Sequence, residues 1–353
     1  MRVWIAVLVP FFLYITASAQ APSAATPPAA RPKSPPSLLF QTDSPLVLQI
    51  KTDLRALLRD RGEKRVEHPA TLRFADGADT GSIKVELRTR GIFRLKECAF
   101  PPIRIDFPAR KVGNTPFAGQ DKLKLVTHCL SGRPYERNLL KEYTVYRAFR
   151  ALTDTSFRVR LAHVTYVDSA RTDTVTRYAF LIEPDGELAR RVGADAFESN
   201  NVHDLLTDPA YMTLVAMFQY LIGNTDWSVW GRHNIALMRR TSEPHTIFAV
   251  PYDYDFSGAV GAPYASPPPQ LPIRTVRERY YRGFCQPDSM LQNVLQRFRA
   301  AKDSIYAAVR TVTQLPDGDR RGLLSYFDEF YDAIGNRAIV QREFVRGCRS
   351  VPQ

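Results

Sequence analysis

Acidic and amide side chains are concentrated in two short segments between residues 223 and 256. In GNTDWSVWGRHN, Asp226 is followed eight residues later by Asn234, and VPYDYDF places Asp253 and Asp255 directly after an apolar run. Phosphoryl transfer to a hydroxyl needs a carboxylate that orients the nucleophile and accepts its proton, and oxygen ligands that hold Mg²⁺ on the nucleotide phosphates. An acid, a following Asn and a later acid at a strand end match this requirement. The alternative is that these residues only form turns, in which Asn and Asp are common.

A basic strand and the helix after it provide further groups for such a site. Lys122 and Lys124 alternate with leucines, so both point to the same side of a strand. Glu142, on the following helix, is placed to pair with one of them, and a Lys–Glu pair that holds an ammonium on phosphate oxygens is required in protein-kinase sites. Lys124 is the preferred lysine because it is nearer the strand centre, and a solvated strand edge is the alternative for both. Glu136 is a second candidate partner, although its place at the helix start is explained by the helix dipole.

Apolar periodicity divides the chain into a strand-rich half and a helical half. Strands are predicted at 46–51, 70–74, 83–90, 103–107, 122–127, 158–167 and 174–182, and helices at 136–152, 212–222, 288–311 and 320–346. This order predicts an α+β protein with the two-lobed plan of protein kinases. Residues 38–184 would form an N-lobe with an antiparallel sheet and one helix, and residues 185–353 a mainly helical C-lobe.

The N-terminus predicts that the protein is exported. Arg2 precedes an apolar run and the small residues ASA, which together are typical of a cleavable signal peptide at 1–19. The Ala/Pro-rich residues 20–37 are expected to form an extended linker. No later segment is apolar enough to span a membrane, so we expect a secreted or periplasmic product without an integral membrane segment.

Four cysteines in an exported chain favour two disulfides, but their spacing alone allows three pairings. In the predicted N-lobe the start of the second strand lies beside the end of the third, which brings Cys98 near Cys129. An antiparallel hairpin of the two terminal helices brings Cys285 near Cys348. Metal ligation is the alternative, but the sequence has no Cys-x-x-Cys motif and no Cys/His cluster.

Composition restricts the class of protein and the partners. An apolar content of 44% excludes a mainly disordered or fibrous chain. The 48 Lys and Arg residues against 36 Asp and Glu residues give a formal net charge of +12, which favours acidic partners such as phosphates, nucleic acid or an anionic surface. The alternative is that this charge serves solubility alone. We expect no nucleic-acid partner, because basic–aromatic alternation and reader motifs are absent from the sequence.

Five segments within residues 83–258 resemble the spore-coat-protein-H (CotH) kinase family. They are RTRGIFRLKECAFPPIRIDF, DKLKLVTHC, ERNLLKEYTVYRAF, DWSVWGRHN and PYDYDF. The resemblance implies that Asp226 is the catalytic aspartate, that Asn234 and Asp253 are metal ligands, and that Asp255 is a candidate additional ligand. It also implies ATP as the phosphoryl donor and Mg²⁺ or Mn²⁺ as the metal.

The segment that would cover the nucleotide phosphates departs from ordinary protein kinases, because GIFRLKECAF has one glycine. Arg94 and Lys96 could contact phosphates there, or could be solvated. Trp227 and Trp230 are expected to pack beneath the catalytic segment, with substrate binding as the alternative. His233 could hydrogen-bond the carboxylate of this segment or serve a structural role.

Three functions follow from these observations. The preferred one is an exported kinase that transfers the γ-phosphate of ATP to Ser or Thr hydroxyls of an exported or cell-envelope protein. The second is a catalytically inactive kinase-like protein that binds an envelope protein or polymer. The third, a metal-dependent hydrolase, is the weakest, because the sequence lacks a histidine–carboxylate cluster at dinuclear-metal spacing.

Overall fold

The computed structural model describes Met1 and residues 33–108, 112–171, 173–200 and 202–350. Apart from Met1, the expected signal peptide and residues 20–32 of the expected linker lie outside the described residues. None of the helices in the described part of the chain combines the length and the apolar character needed to cross a lipid bilayer.

Seven strands of the N-terminal half form a closed barrel. They are β1 (Leu46–Thr52), β2 (His68–Asp76), β3 (Asp79–Thr89), β4 (Ile103–Asp106), β5 (Lys122–Val126), β6 (Val159–Asp168) and β7 (Thr174–Ile182). Their order around the barrel is β1-β2-β3-β4-β5-β7-β6, and the neighbours are antiparallel except for the parallel pair β1 and β6. Alternation along β1 is typical of the barrel strands: Leu46, Leu48 and Ile50 are buried, while Val47 is exposed.

Barrel closure contradicts the fold that the sequence pattern predicted. The predicted two-lobed protein-kinase-like fold requires an open antiparallel N-terminal sheet, and that prediction is wrong. β1 pairs with β6 in parallel, from Leu46 opposite Ala162 to Thr52 opposite Asp168, and this pairing removes both sheet edges. Periodicity locates each strand within a few residues but carries no information on which distant strand becomes its neighbour. The chain is therefore a mixed α+β protein built on a closed barrel.

The remaining elements surround the barrel and fill the C-terminal half. The helices are α1 (Leu54–Arg59), α2 (Phe93–Glu97), α3 (Arg133–Leu152), α4 (Asp185–Val192), α5 (Pro209–Leu221), α6 (Asp288–Arg310), α7 (Asp317–Gly335) and α8 (Arg337–Val340). Two 3₁₀ helices, Leu38–Phe40 and Asp204–Leu206, and a π-helix, Gln341–Arg346, complete the helical elements of the described residues. A three-stranded antiparallel sheet contains β8 (Ala194–Phe197), β9 (Ile235–Arg240) and β10 (Ile247–Pro251), in the order β10-β9-β8. The C-terminal half is thus less purely helical than predicted.

Local sequence explains where the C-terminal helices begin and end. The side chain of Asp208 accepts a hydrogen bond from the Tyr211 backbone N–H, and Pro209 occupies the first turn of α5. The single helix predicted at 320–346 is interrupted because Asn336 leaves helical geometry and its side chain caps α8. Helix α5 is apolar on all sides and buried throughout most of its length, as expected of a central core helix.

Both predicted disulfides are confirmed. Cys98 is bonded to Cys129 with a Cα–Cα distance of 4.5 Å, and Cys285 to Cys348 with a distance of 4.9 Å. The first joins the end of α2 to the segment after β5, and the second joins the segment before α6 to the segment after the π-helix. Two disulfides are typical of proteins of oxidising compartments, which agrees with an extracellular or periplasmic location.

Candidate functional site

A cavity of about 370 Å³ contains most of the chemically active side chains predicted from the sequence. It lies where α2, α3 and β5 meet the segment after α5 and the segment after β10. Its lining residues with charged, imidazole or amide side chains are Arg90, Arg94, Lys124, Glu142, Asp226, Arg232, His233, Asn234, Asp253 and Asp255. The sequence prediction therefore assigned a role to seven of these ten residues, which come from two distant parts of the chain. Arg90 and Arg232 were not assigned a role, and two roles were left open for His233.

The β9–β10 hairpin brings Asn234 and Asp253 together. Asn234 precedes β9, Asp253 follows β10, and Ile235 lies opposite Pro251 in the antiparallel register. The backbone N–H of Tyr252 donates to the Asn234 carbonyl over 3.0 Å. Both residues have left-handed backbone conformations, with φ of 53° for Asn234 and 61° for Asp253. Asn and Asp tolerate this conformation better than most residues, and such geometry is concentrated at functional sites.

Asp226 is held by hydrogen bonds from three sides. Its Oδ1 lies 2.8 Å from His233 Nε2, and its Oδ2 accepts a bond of 3.0 Å from Asn234 Nδ2. The same Asn234 nitrogen donates to the Asp226 carbonyl over 2.8 Å, and the Asp226 backbone N–H donates to Asn224 Oδ1 over 3.0 Å. The hydrogen bond to Asp226 raises the pKa of His233. The sequence left two roles open for His233, a hydrogen bond to this carboxylate or a structural role. The structure shows the hydrogen bond.

Arg94 occupies the centre of the acidic side of the cavity. Its Nε donates to Asp255 Oδ2 over 2.8 Å, and its Nη2 lies 3.0 Å from both Glu142 oxygens and 2.5 Å from Asp253 Oδ1. Asp255 also accepts a bond of 2.9 Å from the Tyr264 hydroxyl. One buried guanidinium thus joins three carboxylates from α3 and from the segment after β10.

The expected Lys124–Glu142 pair is not formed, because each residue is bonded to a different partner. That prediction is wrong. Glu142 is bonded to Arg94, and Lys124 Nζ instead lies 2.9 Å from Asp185 Oδ1. Arg94 displaces the lysine because its planar fork reaches several carboxylates at once, which a single ammonium does less well. Lys124 still lines the cavity, whereas Lys122 lies outside it with an exposed side chain near Asp121.

The tryptophans of the catalytic segment have opposite environments. Trp227 is 3% exposed, which confirms the expectation that it packs beneath the segment. Trp230 is 53% exposed, so the same expectation for this residue is wrong. The ring of Trp230 lies edge-on to His203 at a centroid distance of 6.1 Å.

The pKa values of the acidic residues in the cavity depend on burial and on the charge of Arg94, which three carboxylates share. Burial raises the pKa of Glu142 to about 8 and that of Asp255 to about 6, although Arg94 opposes both shifts. Partial removal from water also opposes ionisation of Asp253, but the charges of Arg94 and Arg90 offset it and lower its pKa. Within the cluster, burial therefore favours the neutral form of Glu142 and Asp255, while the arginines favour the charged form of Asp253.

Replacing Glu142 with Gln is expected to flatten the pH dependence of the free energy of unfolding. The pKa of Glu142 is raised from 4.5 to about 8 in the folded protein. Its contribution to stability is therefore complete below the unfolded pKa and is lost as the pH rises through about 8. Urea denaturation in metal-free buffer between about pH 6 and 9 should show a steeper decline for the wild type than for Glu142→Gln. Parallel profiles would contradict the raised pKa of Glu142.

The donor atoms suit a hard divalent cation, although they do not form a ready-made carboxylate cage. Within the described residues, no group of three or more His, Cys, Asp or Glu side chains is arranged to hold a metal ion. Asn234 uses its amide nitrogen on Asp226, so its oxygen is the end that could face a cation. Carboxylate and amide oxygens are the ligands that Mg²⁺ and Mn²⁺ prefer. Asn234 and Asp253 could therefore hold such an ion together with nucleotide phosphates.

Comparison with known proteins adds no assignment. Neither a protein-family model nor a curated protein matches the chain.

Proposed function

We propose that the protein transfers the γ-phosphoryl group of ATP to a Ser or Thr hydroxyl of an exported protein. The observation that carries the proposal is the convergence of Asp226, Asn234 and Asp253 on one cavity with the cations Arg90 and Lys124. A cavity of about 370 Å³ falls within the range of small-molecule sites, which is roughly 300–1,000 Å³. Phosphoryl transfer depends chiefly on positioning and on charge stabilisation, and this set of residues supplies both.

Asp226 is the residue that would orient and deprotonate the acceptor hydroxyl. Asn234 and His233 bind its two carboxylate oxygens and fix the rotamer, so the carboxylate needs no reorganisation when a hydroxyl approaches. Each carboxylate oxygen has more than one acceptor position, so an incoming hydroxyl can still donate to Asp226. The raised pKa of His233 favours its charged form, which places a positive charge 2.8 Å from the Asp226 carboxylate.

Nucleotide phosphates would meet oxygen ligands on one side of the cavity and cations on the other. Asn234 and Asp253 would hold Mg²⁺ or Mn²⁺, which neutralises the developing charge on the phosphates when bound. Lys124, whose Nζ lies 5.4 Å from the Tyr252 ring centroid, and Arg90 would contact phosphate oxygens directly. Arg94 holds Glu142 and Asp255 in place and thereby fixes the segment that carries Asp253.

The test is transfer of radiolabelled phosphate from ATP, with casein or the protein itself as acceptor. We expect Asp226→Asn to lower the rate by roughly a hundredfold or more, because a positioned general base contributes about 10²–10⁴. Asp303→Asn is the matched control, since this carboxylate is exposed on α6 outside the cavity and should leave the rate unchanged. Equal signal from wild type and Asp226→Asn with both Mg²⁺ and Mn²⁺ would contradict the proposal.

A second candidate function is binding without transfer, and one observation favours it. Arg94 already lies against Asp253 and Asp255, the acids expected to hold the metal, so a fixed cation could take the place of Mg²⁺. In that case ATP would raise the melting temperature without added metal, by the linkage between ligand binding and stability. Metal-independent stabilisation together with absent transfer would favour this function over the kinase.

A further inference from the structure

A second cavity, of about 360 Å³, lies apart from the candidate site and has a different lining. It forms where the segment between α3 and β6 meets the end of α4 and the β9–β10 hairpin. Its wall combines the cations Lys33, Arg158, Arg191 and Arg240 with one acid, Asp154. Neither the sequence motifs nor the proposed function accounts for this concentration of positive charge.

Internal ion pairing removes only part of that charge. Arg191 is buried and bonded to Glu183, with Nε and Nη2 each 2.8 Å from a carboxylate oxygen. Its other bonds, to the carbonyls of Asp154 and Ser156, use two more of its five N–H donors. Arg191 is therefore a structural cation whose charge Glu183 balances. Three cations remain against Asp154, which leaves an excess of two positive charges in the cavity.

Arg158 carries hydrogen-bond donors that the described residues do not use. Its Nη1 donates to the Phe40 carbonyl over 3.3 Å, but its Nε is buried and has no partner among the described residues. Burial lowers the pKa of Arg158, and the neighbouring charges of Arg191 and Arg150 lower it further. A buried donor without a partner is uncommon in proteins and calls for a ligand or a water molecule.

Arg240, a second cation of the lining, is held in position by an aromatic ring. Its guanidinium lies 5.2 Å from the centroid of the buried Phe248 ring, in cation–π geometry that restricts its orientation. Thr155 and Ser242 also line the cavity, and their hydroxyls can donate hydrogen bonds. Val192 and Phe248 supply an apolar wall beside these groups.

We propose that this cavity binds a phosphate dianion, either inorganic phosphate or the phosphoryl group of a small organic monoester. The excess of two charges matches a dianion, and the guanidinium forks of Arg158 and Arg240 match the geometry of phosphate oxygens. The apolar wall would contact the organic part of a monoester. This proposal is independent of the proposed phosphoryl transfer, because it concerns different residues and requires no reaction.

The test is isothermal titration calorimetry of the folded, oxidised protein at low ionic strength and about pH 7.5, where a phosphate monoester is mostly a dianion. The probes are inorganic phosphate and glycerol 3-phosphate, with glycerol as the uncharged control. Arg158→Gln and Arg240→Gln should each weaken binding by roughly tenfold or more, because each removes hydrogen bonds between charged groups. Arg137→Gln, at an exposed position of α3 outside both cavities, should leave the affinity unchanged.

The two probes distinguish the sources of the dianion. If glycerol 3-phosphate binds more tightly than inorganic phosphate, the ligand is an organic monoester. If the two bind equally, the ligand is inorganic phosphate. Arg240→Gln separates a loss of binding from a folding defect. This side chain is exposed at the end of β9, so its replacement should not alter the thermal unfolding of the protein. The proposal is overturned if neither probe binds at millimolar concentration. It is also overturned if Lys124→Gln, in the candidate site, abolishes binding while Arg240→Gln does not.

Discussion

Arg94→Met is expected to lower the free energy of unfolding by about 3–5 kcal/mol, since removing one partner of a buried ion pair leaves an uncompensated charge. Arg94 is the shared cation of Glu142, Asp253 and Asp255, and both Glu142 and Asp255 are buried. Methionine keeps much of the volume of the side chain but none of its donors. Denaturation by guanidinium chloride, followed by tryptophan fluorescence at about pH 7.5, measures the loss.

The matched control is Arg137→Met on α3. Arg137 is partly exposed and lies 3.5 Å from Asp319, so its pair is worth less than about 1 kcal/mol. Combining Arg94→Met with Asp255→Asn should recover part of the loss, because Asp255, whose pKa is about 6, is ionised at about pH 7.5 and the variant amide carries no charge. A cost for Arg94→Met as small as that for Arg137→Met would contradict the central role given to Arg94.

Removal of the Cys98–Cys129 disulfide is the second large effect. With a sequence separation of 31 residues, loss of this crosslink should cost about 4 kcal/mol through the entropy of the unfolded chain. Both cysteines are buried, so Cys98→Ala with Cys129→Ala also removes packed sulfur atoms and adds to the cost. Chemical denaturation of the double variant and the oxidised wild type measures the difference.

The Cys285–Cys348 disulfide provides the comparison. Its separation of 63 residues predicts a similar loss, again about 4 kcal/mol. Cys98, however, directly follows α2, the helix that carries Arg94, whereas Cys285 lies in the segment before α6. We therefore expect the first double variant, and not the second, to change the pH dependence of stability attributed to Glu142. Equal pH profiles for the two variants would contradict a link between the first disulfide and the cavity.

Short-range patterns in the sequence were sufficient to locate most elements. The helix predicted at 136–152 is α3, Arg133–Leu152, and the strand predicted at 158–167 is β6, Val159–Asp168. The disulfides could also be predicted, because each joins the two ends of a local meander or hairpin whose order along the chain is evident. The three-stranded sheet was harder to predict, since β8 has four residues and lies among helical segments.

The candidate site was predicted as a set of residues but not as a set of contacts. Asp226, Asn234 and Asp253 do line one cavity, and motif spacing was enough to select them. Arg94 was considered only as a phosphate contact, and its bonds to Glu142 and Asp253 were not foreseen. Arg94 is separated from Glu142 by 48 positions and from Asp253 by 159. Local sequence patterns carry no information on contacts between residues this far apart.

The sequence by itself determined most of the longer strands and helices, the cysteine pairs and most of the residues that could perform chemistry, because these depend on neighbours within a few positions or within one hairpin. The tertiary structure alone decided that the strands close into a barrel and that Arg94, rather than Lys124, holds Glu142. Barrel closure depends on the register between β1 and β6, which lie more than a hundred residues apart. The choice between two cations depends on reach and burial in three dimensions, where a guanidinium can serve several buried carboxylates at once.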